Sequence, residues 1–281
     1  MQVYISVDME GIAGIATFDQ TIRGGRGYPR AQQLMTEETN AAIAGAFDAG
    51  ADAVLVNDSH GTMDNLLHDA LDPRARLLFG SPKLDCMAEG LTAEHDVARF
   101  LGYHAPAGGP GVLAHTFSGF FTEVRLNGAP VSEADVNALL AATTGVPVGL
   151  VSGDDVICRL AQAAFPGART AQVKQAHSFA AADSLSPAMA REVIRREAAA
   201  AVRGAAELRP VPVPDRLRLA IDVPTILAAD LAESIPGTVR TAIRTIEADL
   251  DRPRDVIGLI SVAYELTAAG LRPMMSVLNR T

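Results

Sequence analysis

"QVYISVDMEG", residues 2–11, is the stretch from which the rest of the chain is read. Gln2 to Val7 form a short apolar run of the length and character of a strand buried in a sheet. Two carboxylates, Asp8 and Glu10, follow at once. In a strand, residues i and i+2 share a face. In an open parallel sheet, ligands bind outside the carboxyl ends of the strands. The pair therefore belongs at one strand mouth. Taken alone it has two readings: a loop carboxylate beside a turn cap, or two acids held together by a counter-cation.

The same pattern recurs downstream. "DAVLVND" (52–58), "ARLLFG" (75–80), "VARFLGYH" (97–104), "VPVGLVSGDD" (146–155) and "ARTAQVK" (168–174) read as further strands. Between them lie helical patterns. Apolar positions 31, 34, 35, 42, 43, 46 and 47 keep helical spacing up to Gly50, a good stop signal. Ser132, with Asp135 three residues on, opens a helix over 132–145, and further helices are expected at 155–164 and, longer, at 187–205. Asn127-Gly128 between alternating residues marks a hairpin. Strands alternating with helices give an α/β fold with a largely parallel sheet flanked by helices. Three prolines in "PVPVP" (210–214) mark a boundary, so the expected division is an α/β domain over 1–205 and a smaller α+β unit over 206–281, of about two strands and two helices. The second part also reads as an extension of the first.

Composition sets outer limits. Against 24 basic residues stand 33 acidic ones, a formal charge of −9, which excludes the basic footprint of non-specific nucleic-acid binding. The most apolar stretch, "ALLAATTGVPVGLVSG", is interrupted by Gly145 and Pro147, so no membrane span is expected. The first residues show no basic segment followed by an apolar one, and acids appear by position 8, so a secretory signal is not expected in this chain as given. Cys86 and Cys158 form no CxxC pair, which excludes a zinc ribbon or a disulfide framework, and a cytoplasmic setting is the default.

The other strand ends carry chemistry too. Asp58 and His60 follow the second strand, His104 ends "LGYH", and Glu133 heads the helix after the hairpin. Each has an ordinary reading; Glu133, for one, suits the positive end of a helix dipole. Together, Asp8, Glu10, His60, His104 and Glu133 make a carboxylate and imidazole set suited to zinc, or to manganese or cobalt, with no thiolate. Catalytic zinc usually takes three protein ligands, so five fit two metals bridged by one carboxylate, with Asp8 the most central candidate. Two metals roughly 3.5–4 Å apart hold a bridging hydroxide and polarise a carbonyl. His115 follows the loop "APAGGPG" and reads either as an ordinary loop histidine or as a proton donor over the site. Lys174, one of only two lysines, reads as a surface residue or as a contact to substrate, and His68, His95 and His177 read as surface residues. "GDD" (153–155) reads as a helix start or as a group beside a site at its strand end.

In order along the chain, "SVDMEGIAG", "MTEETNAA" (35–42), "VLVNDSHG" (54–61), "LGYHA" (101–105), "PGVLAHTF" (110–117), "SEADVNA" (132–138), "SGDD" (152–155) and "VKQ" (173–175) resemble the DppA-type D-aminopeptidases, which are binuclear zinc peptidases. The resemblance implies two zinc ions per subunit on Asp8, Glu10, His60, His104 and Glu133, with Asp8 bridging, and a catalytic role for His115. It implies a cytoplasmic enzyme that removes an N-terminal residue, in the type case a D-amino acid such as D-Ala, from short peptides. It also implies a homo-oligomer, a decameric ring that encloses its active sites. "TIRGGRGYPR" departs from the type. Other readings of the same residues are a related metal-dependent amidohydrolase or an L-specific peptidase, a phosphoesterase, and a non-catalytic module that binds peptides.

Overall fold

The opening apolar run is strand β1, Gln2–Val7, an interior strand of a seven-stranded sheet. The structure is a computed structural model and describes residues 1–278. β1 pairs in parallel with β2 (Ala53–Asp58) on one side and β4 (Val97–Tyr103) on the other. β2 carries β3 (Arg76–Leu78). β4 carries β7 (Val148–Asp154), then β8 (Arg169–Ser178), all parallel; β9 (Ala181–Ser184) closes that edge antiparallel. The order is β3-β2-β1-β4-β7-β8-β9.

Alternation along β1 sets the site. Val3, Ile5 and Val7 join a core with Met35, Ala42 and Ile43 of α2 (Tyr28–Asp48) and Ala190, Ile194 and Ala198 of α5 (Pro187–Arg203). Tyr4 and Ser6 face the other way. There the Tyr4 hydroxyl donates to the Glu89 carbonyl at 2.8 Å, and Ser6 Oγ lies 2.7 Å from the Tyr103 hydroxyl. Asp8 continues that second face past the strand end. On the core side, the wholly buried Arg99 of β4 donates to the carbonyls of Ala42 (3.1 Å) and Ala198 (2.8 Å), tying both helices to the sheet. Burial drives its pKa down to about 9. α2 and α5 pack closely because Gly45 has no side chain: a Cβ there would lie 2.3 Å from the Arg195 carbonyl.

The chain forms two compact units. The larger comprises Met1–Ala105, Pro110–Leu113 and Asn137–Pro212; the smaller comprises Pro106–Gly109, Ala114–Val136 and the chain from Val213. The larger unit also contains α1 (Phe18–Thr21) and α4 (Asp155–Ala164). As expected, "GDD" opens α4: Asp154 Oδ1 accepts from the backbone N–H groups of Val156 and Ile157, both at 3.0 Å.

The smaller unit is a five-stranded antiparallel sheet, β11-β12-β10-β5-β6. Its strands are β5 (Glu123–Leu126), β6 (Ala129–Pro130), β10 (Leu217–Asp222), β11 (Thr238–Ala242) and β12 (Thr245–Leu250). α6 (Ile226–Ala232) packs on α7 (Pro253–Leu278). The hairpin signal sits where it was read: Asn127 and Gly128 have φ of 52° and 85° and join β5 to β6. The sequence assigned residues 106–109 and 114–136 to its first domain. They join the smaller unit because β5 pairs with β10, and Arg125 bridges to Asp222 at 2.9 and 3.0 Å. "TVRTAIRTIEAD" is a two-stranded hairpin, so the C-terminal segment holds three strands. α3 (Glu133–Thr143) begins in the smaller unit and continues from Asn137 in the larger. Its start is the expected box: the Asp135 carboxylate accepts from Ser132 N–H (2.8 Å) and hydroxyl (2.7 Å), and Ser132 Oγ accepts from Asp135 N–H (3.3 Å).

Candidate metal centre

Parallel register brings three strand ends level. Val7 pairs with Asp58 and with Leu101, so Asp8 and Glu10, His60 and His104 all leave the sheet at its carboxyl edge. In the larger unit, the structure gathers these four side chains, each less than a tenth exposed. Asp8, Glu10 and His104 each offer a ligand atom within 4.8 Å of the others. His60 Nδ1 lies 3.1 Å from Asp8 Oδ1 and 3.0 Å from Glu10 Oε2; His104 Nε2 lies 3.3 Å from Asp8 Oδ2.

Each imidazole is held by its other nitrogen. His60 Nε2 lies 2.7 Å from the carbonyl of Thr21, and His104 Nδ1 lies 3.0 Å from that of Ala105. A carbonyl only accepts, so those nitrogens carry the proton. The lone pairs of His60 Nδ1 and His104 Nε2 then point among the carboxylates. This is how metal-binding histidines are oriented: the outer N–H is fixed and the inner nitrogen is left basic. Without a cation, a proton takes its place. Burial opposes charge on His60, but Glu10 and Asp8 outweigh it and hold the imidazolium well above the usual histidine range. Two buried carboxylates with two oriented imidazoles and no thiolate fit zinc, manganese or cobalt.

Glycine permits the strand ends to close on one another. Gly11 N–H donates to the Gly102 carbonyl at 2.6 Å, and a Cβ at Gly11 would lie 2.1 Å from the Tyr103 carbonyl. Gly102 has φ of 68°, and its Cβ would lie 2.2 Å from the Asp8 carbonyl. Asp58, the other acid at the second strand end, faces away from this cluster. Its carboxylate accepts from the N–H groups of Asn65 (2.6 Å) and Leu66 (2.7 Å) and the Asn65 amide (2.8 Å), shaping the loop behind His60.

In the smaller unit, His115 and Glu133 stand together. His115 Nε2 is 3.7 Å from Glu133 Oε1, which also accepts from Phe117 N–H at 2.6 Å. The next residue, Thr116, is pinned: its hydroxyl accepts from Ala107 N–H at 3.0 Å and donates to the Val131 carbonyl at 2.9 Å. Glu133 is buried and the His115 side chain is one-fifth exposed.

Lys174 is not on the surface. It is buried on β8, and its ammonium donates to the carbonyls of Glu10, Ile12 (3.0 Å) and Ile15 (2.6 Å). Burial lowers its pKa to about 8. His95 is half-buried, its ring edge-on to Tyr4, while His68 and His177 are exposed as expected.

Sequence reading missed Glu38 on α2. Its Oε1 accepts from Ala13 N–H at 2.9 Å, and burial raises its carboxyl to about 7 against the pull of that bond and of Lys174. An unfolded carboxyl ionises near 4.5. The folded state therefore binds the extra proton, and the stability this contributes is present below 4.5 and lost as pH rises through 7. A shift of that size is worth about 3 kcal/mol. Glu38→Gln, which keeps the acceptor for Ala13, is expected to gain up to about that much relative to the parent between pH 5 and pH 8. Urea unfolding of metal-free protein at both pH values measures it, and a difference between variant and parent that does not move with pH would refute it.

A family model described as Peptidase_M55, D-aminopeptidase, matches residues 1–262. A Bacillus subtilis (strain 168) protein named D-aminopeptidase is 40% identical over 248 residues, 88% of this chain and 90% of that protein. A solved structure described as the Zn-dependent D-aminopeptidase DppA from Bacillus subtilis, a self-compartmentalizing protease, superposes with a TM-score of 0.92. It is 38% identical, and the match covers 95% of this chain and 98% of that one. Among the described residues, no helix is long and apolar enough to cross a membrane.

Proposed function

The chain belongs to the Peptidase_M55 D-aminopeptidase family, and from that premise we propose that it is a zinc-dependent aminopeptidase that releases an N-terminal D-amino acid, such as D-Ala, from short peptides. The observation that carries the metal reading is the buried group of Asp8, Glu10, His60 and His104, in which each imidazole has its outer nitrogen on a backbone carbonyl. Those four with Glu133 would hold two zinc ions per subunit, with Asp8 as the shared carboxylate. Manganese or cobalt suits the same nitrogen and oxygen donors.

When bound, the metals supply a water acidic enough to attack at neutral pH and a Lewis acid for the scissile carbonyl. The protein's own groups do the rest. With the outer nitrogens bonded to backbone carbonyls, the inner nitrogens of His60 and His104 are the ones left to face a cation. Carboxylates at the strand mouth offer a counter-charge to the substrate's free ammonium, which selects an N-terminal residue. Breaking the C–N bond leaves an amine nitrogen that must gain a proton. His115 Nε2 is assigned that transfer.

We assign catalysis to the larger unit together with His115 and Glu133, and a part in assembly to the C-terminal segment from 206. Support for a homo-oligomer comes from the self-compartmentalizing Bacillus relative, and the reading carried forward is a decameric ring in the cytoplasm.

The test is metal analysis of the purified protein joined to a panel of D- and L-aminoacyl amides, dipeptides and a phosphate ester. Turnover of D-aminoacyl substrates that chelation abolishes and zinc restores is expected. Preference for L-substrates or for phosphate ester would overturn the assignment, as would turnover indifferent to chelation.

A further inference from the structure

The backbone just beyond Glu10 converges on one cation. Lys174 Nζ donates to the carbonyls of Glu10, Ile12 and Ile15, and no carboxylate among the described residues lies within ion-pair distance of it. An ammonium has three donors, and here all three are used. The placement is unusual in topology. β8, which carries Lys174, is three strands away from β1 in the sheet order. The segment after β1 must therefore cross the mouths of β4 and β7. It does so as a strap: Gly11 N–H is bonded to the Gly102 carbonyl near the end of β4, Ala13 N–H to Glu38, and Gly14 N–H to Ser184 Oγ on β9 at 2.8 Å. Ile12, Ala13 and Ile15 are fully buried along it.

We infer that Lys174 is a positioning residue for the metal centre: by gathering three carbonyls it fixes the bend that turns the Glu10 carboxylate toward Asp8, His60 and His104. The inference rests on the metal reading proposed above. Without the ammonium, three buried carbonyls lose their donor, and the strap must shift to find others. Glu10 is the residue at its bent end, so the shift moves a ligand oxygen. Supports of this kind, one step removed from the ligands, typically set metal affinity by about 10–100-fold.

The experiment compares Lys174→Met, which keeps the length and removes the donors, with Arg99→Met, an equally buried cation that ties α2 and α5 and touches no part of the strap. Zinc affinity of the folded proteins is measured by competition with a chromogenic chelator, and thermal melting is measured on the metal-free forms. Lys174→Met is expected to weaken zinc binding by about 10-fold or more, while Arg99→Met changes melting and leaves affinity within about twofold of the parent. Lys174→Gln, with two N–H donors on a shorter stem, should fall between parent and Lys174→Met. It replaces the methionine variant if that protein does not accumulate. An affinity unchanged on removing the ammonium, with melting alone affected, overturns the assignment. A parent protein that binds no divalent cation overturns the metal reading instead, so the two failures are distinguishable.

Discussion

Asp8→Asn is expected to cost the enzyme its metal and at least about 10³-fold in kcat/KM, or roughly 4 kcal/mol of transition-state stabilisation. Asparagine has the same shape, so little packing is lost around the buried side chain. What changes is charge. Asp8 is the residue whose two oxygens face two different imidazoles, Oδ1 toward His60 and Oδ2 toward His104. An amide presents one neutral oxygen and one N–H group in those places. The N–H group would face a histidine lone pair, which it satisfies and thereby withdraws from a cation.

The expected result separates binding from folding. Ligands that bind only the native state stabilise it by mass action, about 2.7 kcal/mol at a hundredfold excess over Kd. Zinc should therefore raise the melting temperature of the parent by several degrees. The Asp8→Asn protein should melt within about 5 °C of the metal-free parent, since about 1–2 kcal/mol is at stake, and should not respond to zinc. Elemental analysis and melting with and without zinc check this. A variant that kept two metals per chain would contradict the bridge.

The strand mouths could be read from the sequence because period and spacing encode them. Asp8 and Glu10 stand two apart after an apolar run, and His60 and His104 stand just past two others. Parallel register then makes those ends level. Backbone partners could not be read, since a carbonyl leaves no trace in the residue type. Nothing about Thr21 or Ala105 announces that its oxygen orients a histidine. Lys174 was misplaced for a related reason. A lone lysine reads as surface, and its three acceptors are main-chain atoms more than 150 residues away, at Glu10, Ile12 and Ile15. Gly11 and Gly102 were visible as glycines, but only the fold shows them closing on each other. Partition of the chain failed where pairing was long-range: β5 joins β10 across about ninety residues. The β11–β12 hairpin turns through Ile243-Arg244, which lacks the glycine or asparagine that signals a tight turn.

His115→Ala is expected to lower kcat by about 10²–10⁴-fold, the usual contribution of a positioned proton donor, with zinc content unchanged. The two halves of that result answer different questions. At 3.7 Å, His115 Nε2 is too far from Glu133 Oε1 for a hydrogen bond, and the imidazole is the more exposed of the pair. Partial exposure lets the ring reach a substrate and exchange its proton with solvent. Glu133 is the fixed member, buried and bonded to Phe117 N–H. If His115 served as a metal ligand, its removal would reduce metal content along with activity. If it were an ordinary loop histidine, neither would change. A proton donor predicts a third pattern: full zinc and unchanged KM for small D-aminoacyl amides, with kcat alone lowered. Leaving-group chemistry sharpens this further. An activated aryl amide, whose departing nitrogen needs less protonation, should lose much less rate in His115→Ala than a dipeptide does. Equal losses on both substrates, or full activity on either, would remove His115 from the reaction.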